Sequence, residues 1–157
     1  MPLIINGQVE TNDAWELATE ENVTSLTGQV IVPFALYADN KDALAADKVA
    51  IAVTGDDDLE AFFAIAQDFE LVAVDFPVLR DGRGFSVATR LRREGFKGQI
   101  RAIGDVSQDR LGFMARCGFD AYVVPEDRFS EEVLGAFTEM SVHYQGAADA
   151  SRPVYHQ

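Results

Sequence analysis

The sequence predicts an α/β fold, a single domain of repeated βα units around a mainly parallel sheet. Four short apolar runs support this prediction, because they are rich in β-branched and small residues and their starts are 22 to 28 residues apart; they lie at 49–53, 71–75, 99–103 and 121–125. Amphipathic segments of helical length separate them, and this alternation is typical of buried parallel strands joined by crossover helices. The patterns do not reveal the strand order, so an open doubly wound sheet and a partial barrel both satisfy them.

The N-terminal part is predicted to form a β-hairpin and a short helix before the repeats begin. Asn6 and Gly7 both tolerate positive φ, and an Asn-Gly pair between apolar residues indicates a tight hairpin turn. A short helix is predicted over 13–18. The predicted organisation is one domain, 1–145, divided into 1–28 with the hairpin and short helix and 29–145 with the βα repeats.

A helix is predicted after each strand of the repeat. The acidic run 56–58 caps the first, because carboxylates accept hydrogen bonds from the unpaired N–H groups of a helix start. Gly95 and Gly118 end the next two, since glycine readily adopts the left-handed conformation that closes a helix. The later helices are predicted at 86–94, 107–116 and 130–143. The small, polar segment 146–157 is predicted to be a disordered tail, with a docking peptide anchored by Tyr155 as the alternative.

The formal net charge of -13 resides in the first half of the chain. Residues 1–79 carry fifteen acidic and two basic side chains, whereas residues 80–157 carry eleven of each. The acidic half would repel nucleic-acid phosphates and anionic lipid, so neither nucleic acid nor a membrane is expected as a partner. Solubility is one interpretation of the asymmetry, and orientation toward a basic partner is the other.

The sequence favours a cytoplasmic protein. It contains no apolar run near the roughly 18 residues that a membrane helix needs, and its start lacks the basic and apolar regions of a secretory signal. The single cysteine, Cys117, cannot form an internal disulfide, as expected in a reducing compartment.

Three residues are candidates for catalysis. Asp75 and Asp105 follow consecutive predicted strands, and ligands of parallel α/β folds bind at the carboxyl ends of the strands, so the two carboxylates are expected to line one crevice. Cys117 is the third candidate. The negative end of its helix dipole would raise the pKa of the thiol and Arg116 would lower it, so a buried structural thiol and a redox-reactive one are both open.

The loop after Asp75 is rich in glycine and arginine and precedes a predicted helix. Glycines let backbone N–H groups approach a ligand, a helix start supplies unpaired donors, and arginine offers a planar fork to an oxyanion. A small oxyanion site is one interpretation; a loop pinned by internal ion pairs and a partner-docking patch are the others. The candidate ligand-binding residues are Arg80, Asp81, Gly82, Arg83, Gly84, Ser86 and Arg101.

No cofactor can be assigned from the sequence. The run GRGFSV at 82–87 has the first two glycines of a dinucleotide fingerprint, but Val87 stands where the third would be. No Gly-Lys-Ser or Gly-Lys-Thr of a phosphate-binding loop occurs. His143 and His156 lie far from the predicted strand ends, so no metal site is expected.

Several motifs occur together in the central region: Asp75–Pro77, Asp81–Ser86, Gly104–Val106 and Ala115–Asp120, with weaker matches at Val32–Pro33 and His143–Gln145. They cover most of residues 30–145. In these residues the chain resembles a bacterial family of uncharacterised proteins labelled as oxidoreductases involved in sulfite reduction. The family offers no established catalytic residues that could be carried over to this chain.

The resemblance implies a role in assimilatory sulfur metabolism. An accessory protein that binds sulfite reductase or its electron donor, or a small oxyanion, is the first interpretation, because the residues supply no motif for an electron carrier. The alternative is a small oxidoreductase or another enzyme that acts on an anionic substrate at the strand ends. Whether the protein is an enzyme is left open at this point.

Overall fold

The computed structural model describes residues 3–77 and 82–125. Within these ranges the chain forms eight strands: β1 (Leu3–Ile5), β2 (Gln8–Glu10), β3 (Trp15–Leu17), β4 (Gln29–Pro33), β5 (Lys48–Val53), β6 (Leu71–Phe76), β7 (Gln99–Gly104) and β8 (Ala121–Val123). The same ranges contain four α-helices: α1 (Phe34–Asn40), α2 (Leu59–Ile65), α3 (Arg83–Arg93) and α4 (Gln108–Cys117). None of these helices is long and apolar enough to cross a membrane. The predicted helix over 130–143 and the predicted tail over 146–157 lie outside the described residues.

All eight strands belong to one mixed sheet, in the order β2-β1-β8-β7-β6-β5-β4-β3. Strands β3 to β8 are parallel and lie side by side in chain order. Strand β1 runs antiparallel to both β8 and β2, so the N-terminal hairpin extends the sheet beyond its last parallel strand. The hairpin turns at Asn6 and Gly7 with φ angles of 52° and 81°, which confirms that prediction.

The sheet is curled into a half-barrel. Laid flat, eight strands would span about 34 Å between the outer edges, at about 4.8 Å for each of seven neighbouring pairs. The two edge strands, β2 and β3, are joined only by residues 11–14, and the five steps from Glu10 to Trp15 reach at most about 18 Å. The sheet must therefore bend until its edges approach each other.

This architecture corrects the sequence prediction of the fold, which was wrong. A doubly wound sheet needs a reversal of strand order to carry helices on both faces. Here β4 to β8 follow the chain order, and the four described helices all pack into the main core on the same face. Right-handed crossovers between consecutive parallel strands produce this arrangement. The antiparallel hairpin also joins the sheet and makes it mixed. Strand order and curl depend on pairing between segments that are far apart in sequence, and local patterns do not contain that information.

The main core lies between the sheet and the helices. Alternate residues of the central strands point into it, and the helices contribute Phe62, Leu91 and Met114 among others. The ring of Phe76, at the end of β6, lies 5.2 Å from that of Phe85 on α3 and 5.8 Å from that of Phe119, between centroids. This aromatic contact fixes the start of α3 against the carboxyl end of the sheet.

The opposite face of the sheet carries no helix within the described residues. Its buried side chains form a smaller core, named the second core. Small side chains dominate it, including Ala50, Ala52 and Ala73, and Trp15 packs against them. Their size leaves room for the chain between β2 and β3 to cross this face closely. Segment 11–14, named the strap from here on, makes that crossing.

Two local predictions need correction. The helix predicted over 13–18 was wrong, because Trp15–Leu17 pair in parallel with β4 as an edge strand. An open sheet edge offers unpaired backbone groups to a nearby chain, and such pairing overrides a weak local helix signal. Helix α3 begins at Arg83, three residues before the predicted start at 86, and helix α1 was not predicted from the sequence.

Candidate functional site

The carboxyl ends of β5, β6 and β7 bring acidic residues to one edge of the sheet. Asp57 follows β5, Asp75 lies near the end of β6, and Asp105 follows β7. The backbone N–H of Thr54 donates to Oδ2 of Asp57 at 2.8 Å, which holds that carboxylate at the end of its strand. The backbone N–H of Asp105 donates to the carbonyl oxygen of Phe76 at 2.7 Å, so the chain segments after β6 and β7 meet at this edge.

Asp75 is a half-buried member of this acidic group. Burial raises the pKa of its carboxyl group, and the negative charge of Asp57 raises it further. Gly104 closes over it from β7 with a φ of 87°, and a Cβ atom at that position would collide with Oδ1 of Asp75. A side chain at position 104 would therefore displace the carboxylate.

Arg83 connects the start of α3 to the loop after β5. Its Nη1 donates to Oδ1 of Asp56 at 2.8 Å and to the carbonyl oxygen of Gly55 at 3.2 Å. Gly55 permits this approach, because a Cβ atom there would lie only 2.5 Å from Nε of Arg83. The guanidinium group therefore pins a neighbouring loop through Asp56.

The remaining candidate ligand residues of this segment take different positions. Gly84 is buried, and a Cβ atom there would lie 2.6 Å from the ring of Phe76, so this glycine serves the close packing of α3 on the sheet. Gly82 precedes α3 as its exposed N-cap residue, and Ser86 lies exposed on the first turns of the helix. Arg80 and Asp81 lie outside the described residues. Among the described residues, no group of three or more His, Cys, Asp or Glu side chains is arranged to hold a metal ion.

Arg101 is not brought to the strand ends. It lies in β7 on the face opposite the described helices, is only 2% exposed, and has Ala73 and Ala121 as its register partners in the adjacent strands. Its Nη1 donates to Oδ2 of Asp13 in the strap at 3.0 Å, and its Nε donates to Oε1 of Gln99 at 3.1 Å. This arginine therefore holds the strap against the sheet.

Arg92 also forms its hydrogen bonds with groups inside the protein. It donates to the carbonyl oxygens of Gly118 at 3.0 Å, Phe96 at 2.9 Å and Gly98 at 2.8 Å, and forms an ion pair with Asp120 at 3.3 Å. These bonds tie the end of α3 to the turn that follows it and to the chain entering β8. Of the basic residues clustered between 80 and 101, Arg92 and Arg101 are thus structural.

A groove of about 450 Å³ lies between α3 and α4, within the range of about 300–1,000 Å³ that ligand clefts occupy. Its lining consists of Phe85, Ser86, Thr89, Arg90, Arg93, Phe113 and Cys117. A second groove of about 200 Å³ lies on the other side of α3, and its lining consists of Leu59, Phe63, Arg83, Ser86, Val87 and Arg90. Helix α3 is therefore a ridge between two grooves, and Ser86 and Arg90 belong to both.

Charge on this ridge is partly neutralised. Arg90 donates to Glu60 at 2.8 Å and to Glu94 at 3.2 Å, and its guanidinium carbon lies 3.9 Å from the centroid of the Phe63 ring. The hydrogen bond and charge of Arg90 lower the pKa of Glu60. Arg93 lines the larger groove and forms no ion pair with a residue of the described ranges.

The larger groove has an aromatic wall. Phe113 of α4 is 55% exposed, although its ring centroid lies 4.9 Å from that of Phe85. Phe85 in turn contacts the core residue Phe76, so the wall is anchored in the interior. An exposed aromatic side chain beside arginines is typical of protein-binding surfaces.

Cys117 forms part of the floor of this groove. Burial raises the pKa of its thiol, although the hydroxyl group of Thr89 and the charge of Arg116 act in the opposite direction. A raised pKa keeps the group as a thiol rather than the nucleophilic thiolate. The arrangement favours the interpretation of Cys117 as a structural thiol.

Sequence reasoning missed Phe113, Thr89 and Arg93 as members of a common surface. The signal that could have found part of it is the spacing of Arg83, Ser86, Arg90 and Arg93, which are three, four and three residues apart. Residues with this spacing lie on one face of a helix. No local signal places Phe113 opposite them, because α3 and α4 meet only in the folded chain.

The comparison with protein families gives a match over residues 50–155, to a family described as bacterial proteins of unknown function and designated DUF934. The match includes α2, α3, α4 and both grooves, whereas the strap and the hairpin lie before its start. A search of the curated proteins finds no match, and a search of the solved structures finds none. The family model matches more than half of the chain, so the chain belongs to this family of bacterial proteins of unknown function.

Proposed function

We propose that this protein is an accessory protein of assimilatory sulfite reduction, which binds sulfite reductase or its electron donor without catalysing a reaction itself. The metabolic setting rests on the resemblance of the central motifs to the family labelled as oxidoreductases involved in sulfite reduction. The binding role rests on one structural observation. Among the described residues, the lining of the groove between α3 and α4 combines two arginines with two phenylalanines and includes no acidic residue, in a protein whose net charge is -13.

Charge separation within the chain supports a binding role. The region up to residue 79 carries fifteen acids against two bases, whereas Arg83, Arg90 and Arg93 line the grooves beside α3. Opposed charged regions orient a protein as it approaches a partner and fix the register of the complex. The proposal places the protein in the cytoplasm, together with the reductase.

The surroundings of Cys117 and of Arg83 agree with a non-catalytic role. Cys117 is held as a thiol by burial. Arg83 is occupied by Asp56 and by the carbonyl oxygen of Gly55, so a small oxyanion would have to compete with an internal carboxylate for it.

Growth of a deletion strain tests the metabolic part of the proposal. We expect growth on sulfide or cysteine as the only sulfur source and poor growth on sulfate or sulfite.

The purified protein should also form a complex with the reductase or its donor at low ionic strength, and this complex should weaken as salt screens the charged contacts. Absence of a complex with either protein at low salt would contradict the binding role.

The second candidate is a small enzyme that acts on an anionic substrate at the strand-end edge. The raised pKa of Asp75 favours it, because perturbed carboxyl groups often serve as general acids or bases. Normal growth of the deletion strain on all four sulfur sources would remove the support for sulfite reduction and bring this candidate forward.

A further inference from the structure

We propose that the groove between α3 and α4 binds a short acidic segment of a partner protein, with an aromatic side chain of that segment inserted beside Phe113. This inference rests on the proposed accessory function and names the chemistry that the protein would recognise in its partner.

The positive charge of the surface forms a stripe along α3. Arg83, Arg90 and Arg93 share one face of the helix, and the ten steps from Arg83 to Arg93 span about 15 Å at 1.5 Å per residue. Arg83 and Arg90 already have carboxylate partners at 2.8 Å. Arg93 pairs with no carboxylate of the described ranges, so it is the arginine most available to a partner's acid.

The apolar part of the groove explains the aromatic side chain. Phe113 exposes 55% of its surface, and its neighbour Phe85 is fixed against Phe76 of the core. A groove of about 450 Å³ has room for an aromatic side chain beside these rings. Aromatic pairs prefer tilted or edge-on contacts, and the existing pair of Phe85 and Phe113 is tilted by 57°. Phe85 is already anchored on the core residue Phe76 before binding, and such preorganisation lowers the entropic cost of association.

Charge decides between a different protein and a second copy of this chain as the occupant. Two copies, each with a net charge of -13, repel each other at long range. The described lining of the larger groove contains Arg90, Arg93 and no acid. Because Arg90 already pairs with Glu60 and Glu94, Arg93 supplies the charge that complements carboxylates on a partner. A partner segment that brings acids to Arg93 and an aromatic ring to Phe113 satisfies both parts of the surface.

A peptide probe tests this inference directly on the full chain. The probe is a fluorescein-labelled peptide of Asp and Glu residues with one central Trp, and its binding is measured by fluorescence anisotropy at low salt. Two further peptides serve as comparisons, one with Ala in place of Trp and one with Lys in place of the acids. We expect the Trp-containing acidic peptide to bind at least about fivefold more tightly than either.

Groove variants with matched controls locate the binding site. Arg93→Glu and Phe113→Ala are each expected to weaken the peptide complex about tenfold or more. The control for charge is Lys97→Glu, because Lys97 is exposed and lines neither groove, and the control for apolar exposure is Leu17→Ala, because Leu17 is 49% exposed on β3. Both controls should change the affinity by less than about twofold.

The outcomes separate this inference from the proposed function. Equal weakening by Arg93→Glu and Lys97→Glu, or no effect of Phe113→Ala, would overturn the inference even if the reductase complex forms. Concentration-dependent dimerisation that Arg93→Glu abolishes, measured by sedimentation velocity, would show that a second copy occupies the groove and would equally overturn it. Peptide binding that depends on the groove, without a complex with the reductase or its donor, would support the inference and reject the proposed partners.

Discussion

At the scale of the residue, environment decides what each charged side chain does. Arg92 and Arg101 satisfy internal acceptors, Arg83 pins a loop, and Arg93 lines an open groove. All four come from one basic stretch of the sequence, yet only burial and neighbours distinguish them. Asp75 shows the converse case, since it is a carboxylate whose surroundings disfavour its charge.

The substitution Asp75→Asn tests whether the surroundings of this side chain disfavour its negative charge. The pKa of its carboxyl group is raised, so protonation of Asp75 contributes stability below the ordinary Asp pKa of about 3.9, and this contribution is lost as the pH rises through the folded-state pKa. At pH 7 the Asp75→Asn protein should therefore be more stable than the native one by roughly 0.5 kcal/mol, a small gain because solvent screens a half-buried charge. The gain should vanish in acid, and urea unfolding at both pH values measures it.

Asp56→Asn is the matched control for Asp75→Asn. Asp56 is exposed and paired with Arg83, so its replacement should give no gain in stability at pH 7. If Asp75→Asn destabilised the protein at pH 7, the ionised form of Asp75 would have to make a favourable interaction that outweighs its burial and the repulsion from Asp57.

At the scale of the element, the strap between β2 and β3 illustrates how a short connection shapes the sheet. Its Asp13 meets Arg101 from a position 88 residues away in sequence, on the face that carries the small residues of the second core. A buried guanidinium group must be paired to be tolerated in the interior. The ion pair therefore couples the strap to the centre of the sheet.

Removal of the strap carboxylate should destabilise the protein. Asp13→Ala leaves the guanidinium group of Arg101 without its acidic partner, and we expect a loss of about 1–3 kcal/mol in the free energy of unfolding. The double variant Asp13→Ala/Arg101→Met should recover part of this loss, because it also removes the buried charge. Urea unfolding of the three proteins measures the effect.

Glu16→Gln in β3 provides the control for the strap, since Glu16 is exposed on the edge strand. Its effect on unfolding should be near zero, as is usual for surface substitutions. A loss no larger for Asp13→Ala than for Glu16→Gln would mean that Arg101 does not depend on Asp13.

At the scale of the whole molecule, the half-barrel places its buried strands and the proposed binding surface on different layers. One face of strands β5, β6 and β7 packs against the helices in the main core, and side chains on the other face form the second core. The grooves lie on the outer side of the helical layer, where α3 is flanked by α2 and α4. The proposed partner would therefore bind without disturbance of the sheet.

Hydrogen exchange should follow this layering. The amides of β6 are expected to exchange most slowly, because the strand lies at the centre of the sheet and most of its residues are buried. The amides of β2 and β3 should exchange fastest among the strands, because both lie at sheet edges and expose most of their residues. Exchange measured by NMR or mass spectrometry tests this order, and equal protection of edge and centre would contradict the described topology.

The sequence by itself determined the elements that depend on neighbouring residues. The Asn6-Gly7 hairpin formed as predicted, since only local φ angles are involved. Gly118 closes α4 with a φ of 114°, and Asp58 caps α2 by accepting from the N–H of Ala61, both as the local patterns indicate. The four central strands were also predicted correctly, because a strand buried on both faces is a nearly continuous apolar run in the sequence.

Only the tertiary structure decided how these elements combine. The curl of the sheet, the strand β3 in place of a helix, and the pairing of Arg101 with Asp13 all depend on contacts between distant segments. The candidate binding groove is a further example, since Phe113 on α4 and Arg93 on α3 come together only when both helices pack on the sheet. Local sequence specifies backbone propensity and periodicity, whereas long-range pairing and the burial of charge fix the architecture and leave a few side chains free for function.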